Sequence, residues 1–187
     1  MRELSLHILD IVQNSISAGA AVIEIVINED IERDLFGVDI IDNGCGIEES
    51  ALETITDPFV TSRKTREVGL GLPLFKEAAR QCNGDLEIKS VVGEGTKVRA
   101  YFQHSHIDRA PLGDIKETLL SLISVNPDID FIYWHKFKDE EQDKEFIFST
   151  IEVKDELDGL SINNPKVLKW LEGYIKEGLK NLYGGDL

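Results

Sequence analysis

Apolar residues recur at helical spacing near the start of the chain. Leu4, Ile8, Ile11, Val12 and Ile16 share one face. A second stripe, Glu3, His7, Asp10, Asn14 and Ser17, is polar throughout. The spacing predicts a helix over residues 2–18, closed by Ala18-Gly19-Ala20, where Gly19 suits a C-terminal cap. The period then changes. Residues 21–28 and 36–42 are rich in Val and Ile and read as strands, the second running into the turn Asp42-Asn43-Gly44-Cys45-Gly46. A short helix is expected over 48–55, and an exposed polar loop over 57–69 (DPFVTSRKTREVG). A helix from Leu70 accommodates Pro73 in its first turn, ends at Asn83-Gly84, and is expected to bury Leu74, Phe75, Ala78, Ala79 and Cys82. Residues 85–92 and 96–102 read as a hairpin around Gly93-Glu94-Gly95.

A boundary is drawn at 103/104, dividing the chain into segments 1–103 and 104–187. The second segment reads as a small α+β unit: a helix over 112–125, strands over 129–137 and 145–153 joined by a charged tip at 138–144, and a closing helix after Asn164-Pro165. That last helix is expected to bury Val167, Leu168, Leu171, Tyr174, Ile175, Leu179 and Leu182. The second segment carries no chemical signature.

Composition narrows the function classes. With 42% hydrophobic residues in 187, the chain is neither disordered nor fibrous. No apolar run approaches the roughly 18 residues of a membrane span. The start MRELSLHILD does not read as a signal peptide, and two cysteines, Cys45 and Cys82, make no disulfide framework. A cytoplasmic location is therefore expected. Lys and Arg number 20 against 35 Asp and Glu, a net charge of −15 spread evenly over both segments. Such a surface repels nucleic acid and anionic lipid, so neither is expected as a partner. An anionic ligand needs a local device: backbone N–H groups, a metal ion or a few placed bases.

Three G-x-G elements offer such devices: Gly44-Cys45-Gly46, Gly69-Leu70-Gly71 and Gly93-Glu94-Gly95. None completes G-x-G-x-x-G, and no G-x-x-x-x-G-K-S/T occurs, so dinucleotide-fold and P-loop readings fail. Gly69-Leu70-Gly71 opens a helix, where free N–H groups favour a phosphate, and Arg63, Lys64 and Arg66 lie just upstream. As plain structure, that trio is a solvated loop. Asp10 and Asn14 share a helix face; the amide oxygen suits a magnesium shell, and the carboxylate suits a proton acceptor. The plainer reading is a polar stripe facing water. Asp42, before a glycine turn, suits an exocyclic amine or simply forms the turn.

The order of these pieces, Asp10-x-x-x-Asn14, Asp42-x-Gly44-x-Gly46, Phe59, Gly69-x-Gly71 and Gly95-Thr96, resembles the Bergerat-fold ATPases: gyrase B, the heat-shock chaperone, MutL and the histidine kinases. It is nearest to histidine kinase catalytic domains, whose run of E-P-F, basic lid and G-L-G-L is similar to Asp57-Pro58-Phe59 through Gly69-Leu70-Gly71-Leu72. The resemblance implies an α/β chain of the α+β two-layer sandwich type, with a mixed sheet and helices on one face. It implies ATP with Mg²⁺ as ligands. By that resemblance Asn14 would hold Mg²⁺, Asp42 would read the adenine amino group, Gly44 and Gly46 would admit the base, and Thr96 would sit near it. The resemblance also makes residues 57–69, Phe59 among them, an expected lid, with Arg63 or Lys64 expected to reach the γ-phosphate. The N–H groups of Gly69 and Gly71, flanking Leu70, would cradle phosphates. Asp10 falls where ATPase members carry a Glu base and is one methylene shorter.

Two functions follow as expectations. The first is an enzyme that hydrolyses ATP or phosphorylates a partner protein in trans, as a monomer or homodimer. The second is a nucleotide-gated protein-binding module with little turnover. Ser105-His106-Ile107-Asp108-Arg109-Ala110-Pro111-Leu112 resembles the phosphoacceptor box S-H-E-L/F-R-x-P-L, but Ile107 replaces the acid after the His and the box follows the ATPase motifs instead of preceding them, so a linker role is expected for it. His104 and His106 lack a third metal ligand nearby, His7 reads as a helix residue hydrogen-bonded locally, and Cys45 as a small turn filler.

Overall fold

The computed structural model describes residues 3–55 and 71–184. Its elements run α1 (Leu4–Ser17), β1 (Val22–Asp30), β2 (Leu35–Asp42), α2 (Glu49–Ile55), α3 (Gly71–Gln81), β3 (Asp85–Val91), β4 (Gly95–Gln103), α4 (Ile115–Val125), β5 (Asp130–Lys138), β6 (Asp143–Ser149), α5 (Thr150–Glu156) and α6 (Pro165–Leu182). The strands form one sheet in the order β3-β4-β2-β1-β5-β6. Neighbours are antiparallel except β1 and β5, which run parallel from Val22↔Asp130 to Asp30↔Lys138. Period-2 burial shows why the helices stack on one side: Ile23, Ile25 and Ile27 of β1 are buried, as are Phe36, Val38 and Ile40 of β2, while the residues between them are not. Those apolar rows pack against Leu4, Ile8, Ile11 and Val12 of α1 and against Leu72, Phe75 and Ala79 of α3. A two-layer α+β sandwich with a mixed sheet results.

The 103/104 boundary falls inside this sheet. The strands expected to form a separate small unit instead continue it through β5, and one core joins both segments, with Phe131, Tyr133 and Phe148 alongside Ile25 and Ile27. The connection is tied down on both sides. Asp34 accepts from the backbone N–H (2.7 Å) and Oγ (2.9 Å) of Ser105. Arg109 donates to the His104 carbonyl at 2.7 Å and lies 4.8 Å from the centre of the Phe36 ring. The Pro111 and Leu112 carbonyls accept from the Leu4 and Ser5 amides, so the link supplies partners for two of the free N–H groups that start α1. His106 accepts from the Asp108 N–H through Nδ1 within this link.

Some elements differ from the sequence expectation for identifiable reasons. The strand read over 145–153 stops at Ser149 because the Thr150 hydroxyl takes the Phe131 N–H at 2.8 Å, where a ladder carbonyl would sit, and α5 begins. Helix α4 begins at Ile115, not at 112, because Asp114 caps it by accepting from the Glu117 N–H at 2.9 Å. Leu74 is exposed, not buried. The stack of Phe75 on His7 (4.9 Å, 15°) sets the rotation of α3 so that Leu72, Phe75 and Ala79 face inward. In α6 the inward set is Val167, Leu171, Ile175, Leu179 and Leu182, which leaves Tyr174 outside.

The end of β1 away from the Asp42 turn holds a buried polar cluster. Glu29 accepts from His135 Nε2 at 2.8 Å, from the Tyr183 hydroxyl, and weakly from His104 Nε2 at 3.4 Å, while Tyr133 Oη meets His135 Nδ1 at 2.7 Å. It fastens β1 and β5 to the end of α6. Among the described residues, no helix is long and apolar enough to cross a membrane.

Candidate functional site

Two elements bring the candidate polar groups together. Helix α1 carries Asp10, Asn14 and Ser15, and β2 delivers Asp42 at its last residue. Asp42 is buried, and both of its oxygens are engaged: Ser15 Oγ donates to Oδ2 at 2.6 Å, and the Gly44 N–H donates to Oδ1 at 2.9 Å. The carboxylate is therefore fixed in orientation while keeping lone pairs for a further donor. Ser15 was not singled out from the sequence. The only trace of it there is a small polar residue beside Asn14, on the border between the polar stripe and the apolar face.

The turn after Asp42 is packed so closely that its glycines leave no room for a Cβ. Asn43 Oδ1 accepts from the Ala21 and Val22 amides (2.8 and 2.9 Å), and the Cys45 N–H donates to the Ala18 carbonyl at 2.9 Å. A Cβ on Gly44 would lie 2.9 Å from the Ala18 carbonyl oxygen. Gly46 has φ +71°, and its Cβ would meet the Val91 carbonyl oxygen at 2.2 Å. Gly95, at φ +118°, would meet the Asp42 carbonyl oxygen at 1.9 Å. These glycines are required by the packing of the turn between the end of α1 and the β3–β4 hairpin. Ser90 completes the frame: its Oγ accepts from the Ile47 N–H and meets Thr96 Oγ1, each at 2.8 Å.

Between these parts lies a cleft of about 390 Å³, within the range of small-ligand sites. Ile11, Ile47, Ile55, Leu72 and Val98 give it apolar walls, and Asn14, Ser15, Asp42 and Thr96 supply polar groups. Cys45 and Gly46 also line it, whereas Gly44 is not part of the lining and packs on Ala18. Asp10 stands one turn before Asn14, outside this lining. Its Cβ lies 3.0 Å from where a Cβ on Gly71 would be, so the start of α3 abuts it. Phe59, Arg63, Lys64, Gly69 and Leu70 lie outside the described residues. Among those described, no group of three or more His, Cys, Asp or Glu could hold a metal. Asn14 offers a single hard oxygen donor, which fits a magnesium ion shared with phosphate oxygens and waters.

His7 does not have the local hydrogen bonding expected of it. It is buried on Phe75, Nδ1 has no hydrogen-bond partner among the described residues, and burial pushes its pKa down to about 4, so it is neutral at pH 7.

Residues 2–106 match the family model for the histidine kinase-, DNA gyrase B-, and HSP90-like ATPase. The chain is similar to a putative sensor protein of Shewanella frigidimarina: 31% identical over 103 residues, 54% of this chain and 16% of that protein. It is also similar to the tetrathionate sensor histidine kinase TtrS of Salmonella typhimurium: 34% over 103 residues, 52% of this chain and 17% of that protein. The chain thus spans about a sixth of the length of these relatives. A solved structure, the N-terminal domain of a DNA repair protein, superimposes over 98% of this chain and 57% of its own with a TM-score of 0.57. At 16% identity that likeness concerns the fold, and it takes in the β5–β6 extension as well as the first half. With the matched region covering more than half of its length, the chain belongs to the histidine kinase-, DNA gyrase B- and HSP90-like ATPase family.

Proposed function

We propose that the α1–β2 cleft binds ATP with Mg²⁺ and that the chain passes the γ-phosphoryl group to water or to a partner protein. The observation that carries this reading is Asp42, locked through both oxygens at the floor of a largely apolar cleft. An apolar cleft that holds a fixed acceptor suits a base with an exocyclic amine. Asn14 contributes the protein oxygen to Mg²⁺, which when bound neutralises phosphate charge. Gly71 and its helix start offer free N–H groups to the phosphates, alongside Gly69 and the lid residues Arg63 and Lys64. Asp10 accepts the proton of the attacking water or hydroxyl as the bond to the leaving ADP breaks. In this reading residues 1–103 carry the nucleotide chemistry, residues 104–187 serve as an accessory segment, and the protein works in the cytoplasm. The names of the relatives, sensor proteins and sensor kinases, support a protein partner and signalling.

The second reading, a nucleotide-gated binding module, is favoured by the position of Asp10 outside the cleft lining and against Gly71. One experiment separates the two. Incubation with γ-labelled ATP and Mg²⁺ should release phosphate or label protein in the wild type and in neither form in Asn14→Ala. Asp10→Asn should retain ATP but lose turnover by about 10²-fold or more. An unchanged rate in Asp10→Asn removes Asp10 from the chemistry. ATP retained by the wild type with neither product favours the module.

A further inference from the structure

A second cleft lies at the opposite edge of the molecule, where β6 ends the sheet. It has a volume of about 330 Å³ between α5 and α6. Its walls are aromatic and aliphatic: Phe148 below, Val153 and Leu157 on α5, Trp170 and Tyr174 on α6. Trp170 and Tyr174 stack at 5.4 Å and 19°, yet they are 55% and 44% exposed. Two stacked aromatics left open on one helix face are more than scattered surface apolarity. Gly173, on the same stripe, has nothing within 4 Å of a Cβ built on it, and its φ is not positive. Packing among the described residues does not require that glycine, although mid-helix glycine costs about 1 kcal/mol relative to alanine. An approaching backbone does benefit from it.

The rim sets the chemistry of the occupant. Glu152 and Glu156 line the cleft, and Asp155 and Asp158 lie beside them. The base within α5, Lys154, is turned away to Asp130 (2.7 Å) and the Ile129 carbonyl (3.1 Å), so the α5 rim keeps its negative charge. A second copy of this chain, at −15 and with the same acidic rim, is repelled here. We propose that the α5–α6 cleft docks a peptide segment of another protein, one with an apolar anchor flanked by Lys or Arg. The anchor enters between Trp170 and Val153, and the basic flanks face Glu152 and Glu156.

The test is selection of a displayed library of random short peptides on the intact protein, followed by binding measurements against variants. Recovered peptides should carry a Leu, Phe or Trp anchor with Lys or Arg beside it. Trp170→Ala should weaken them by about tenfold or more. The double change Glu152→Lys/Glu156→Lys should exchange the preference for acidic flanks. These positions are exposed, and circular dichroism checks that each variant keeps the fold. Peptides that lack the basic flanks, or that bind Trp170→Ala equally well, overturn the proposal. So does a wild-type dimer, seen by sedimentation, that Trp170→Ala dissolves.

Discussion

The proposed reading of an exocyclic amine by Asp42 requires a carboxylate that cannot rotate away, and that constraint comes from Ser15 and the Gly44 amide. Ser15→Ala leaves Oδ2 without its donor and should weaken ATP binding by about 5- to 30-fold, as titration of labelled nucleotide would measure. Ser15→Thr, which keeps the hydroxyl, should recover part of that loss. Gly46→Ala should fail for a different reason. Its positive φ and the Val91 carbonyl both oppose a Cβ, so the thermal midpoint should fall by a shift equivalent to about 1–3 kcal/mol even without nucleotide. The sequence disclosed these glycines as turn formers but not what they touch, because the atoms that exclude a Cβ belong to Ala18 and Val91, far along the chain. Ser15 was hidden for a related reason: nothing local says that a serine on α1 faces the last residue of β2.

At the scale of elements, α1 and α3 are held together by the stack of His7 on Phe75, and β1 is held to α6 by the Glu29 cluster. The two respond to acid in separate windows. Burial holds the His7 imidazole down to about 4, against about 6.5 for a free imidazole, so the native state resists its protonation. Stability is full above pH 6.5 and falls by up to about 3 kcal/mol as pH drops toward 4. His7→Phe should flatten that slope in urea titrations across the window. Burial pushes the Glu29 carboxyl up, but hydrogen bonds from His135, Tyr183 and His104 more than offset it and hold the group below its usual range. Its contribution is present above the ordinary carboxylate pKa and is lost only as pH falls below that range. Glu29→Gln should therefore lower stability near neutrality and remove sensitivity at the acid end. Helix and strand periods were legible at this scale. Rotation was not: Leu74 looked internal until the His7–Phe75 contact fixed which side of α3 faces in.

For the whole molecule, β5 and β6 are part of the same sheet that carries the site. A fragment ending at residue 103 would leave one edge of β1 unpaired, uncover Ile25 and Ile27, and strip the Leu4 and Ser5 amides of their partners. It should be insoluble or lose its cooperative transition, checked by circular dichroism melting beside the full chain. A fragment that melts at the same temperature contradicts this. The sequence showed both C-terminal strands and their charged tip, but not that β5 docks beside β1. A parallel pair leaves no turn signature, and its partners here are more than a hundred residues apart.

That separation also bears on how the protein is made. Val22 reaches solvent long before Asp130, which completes its side of the sheet. At about 5–20 residues per second of synthesis, the delay is on the order of 5–20 s. During it the nascent chain carries an Ile- and Val-rich strand with one edge open, the kind of segment that pairs with another chain if nothing covers it. Slowed translation beyond residue 103 should therefore lower the yield of folded protein, and a chaperone that covers β1 should restore it.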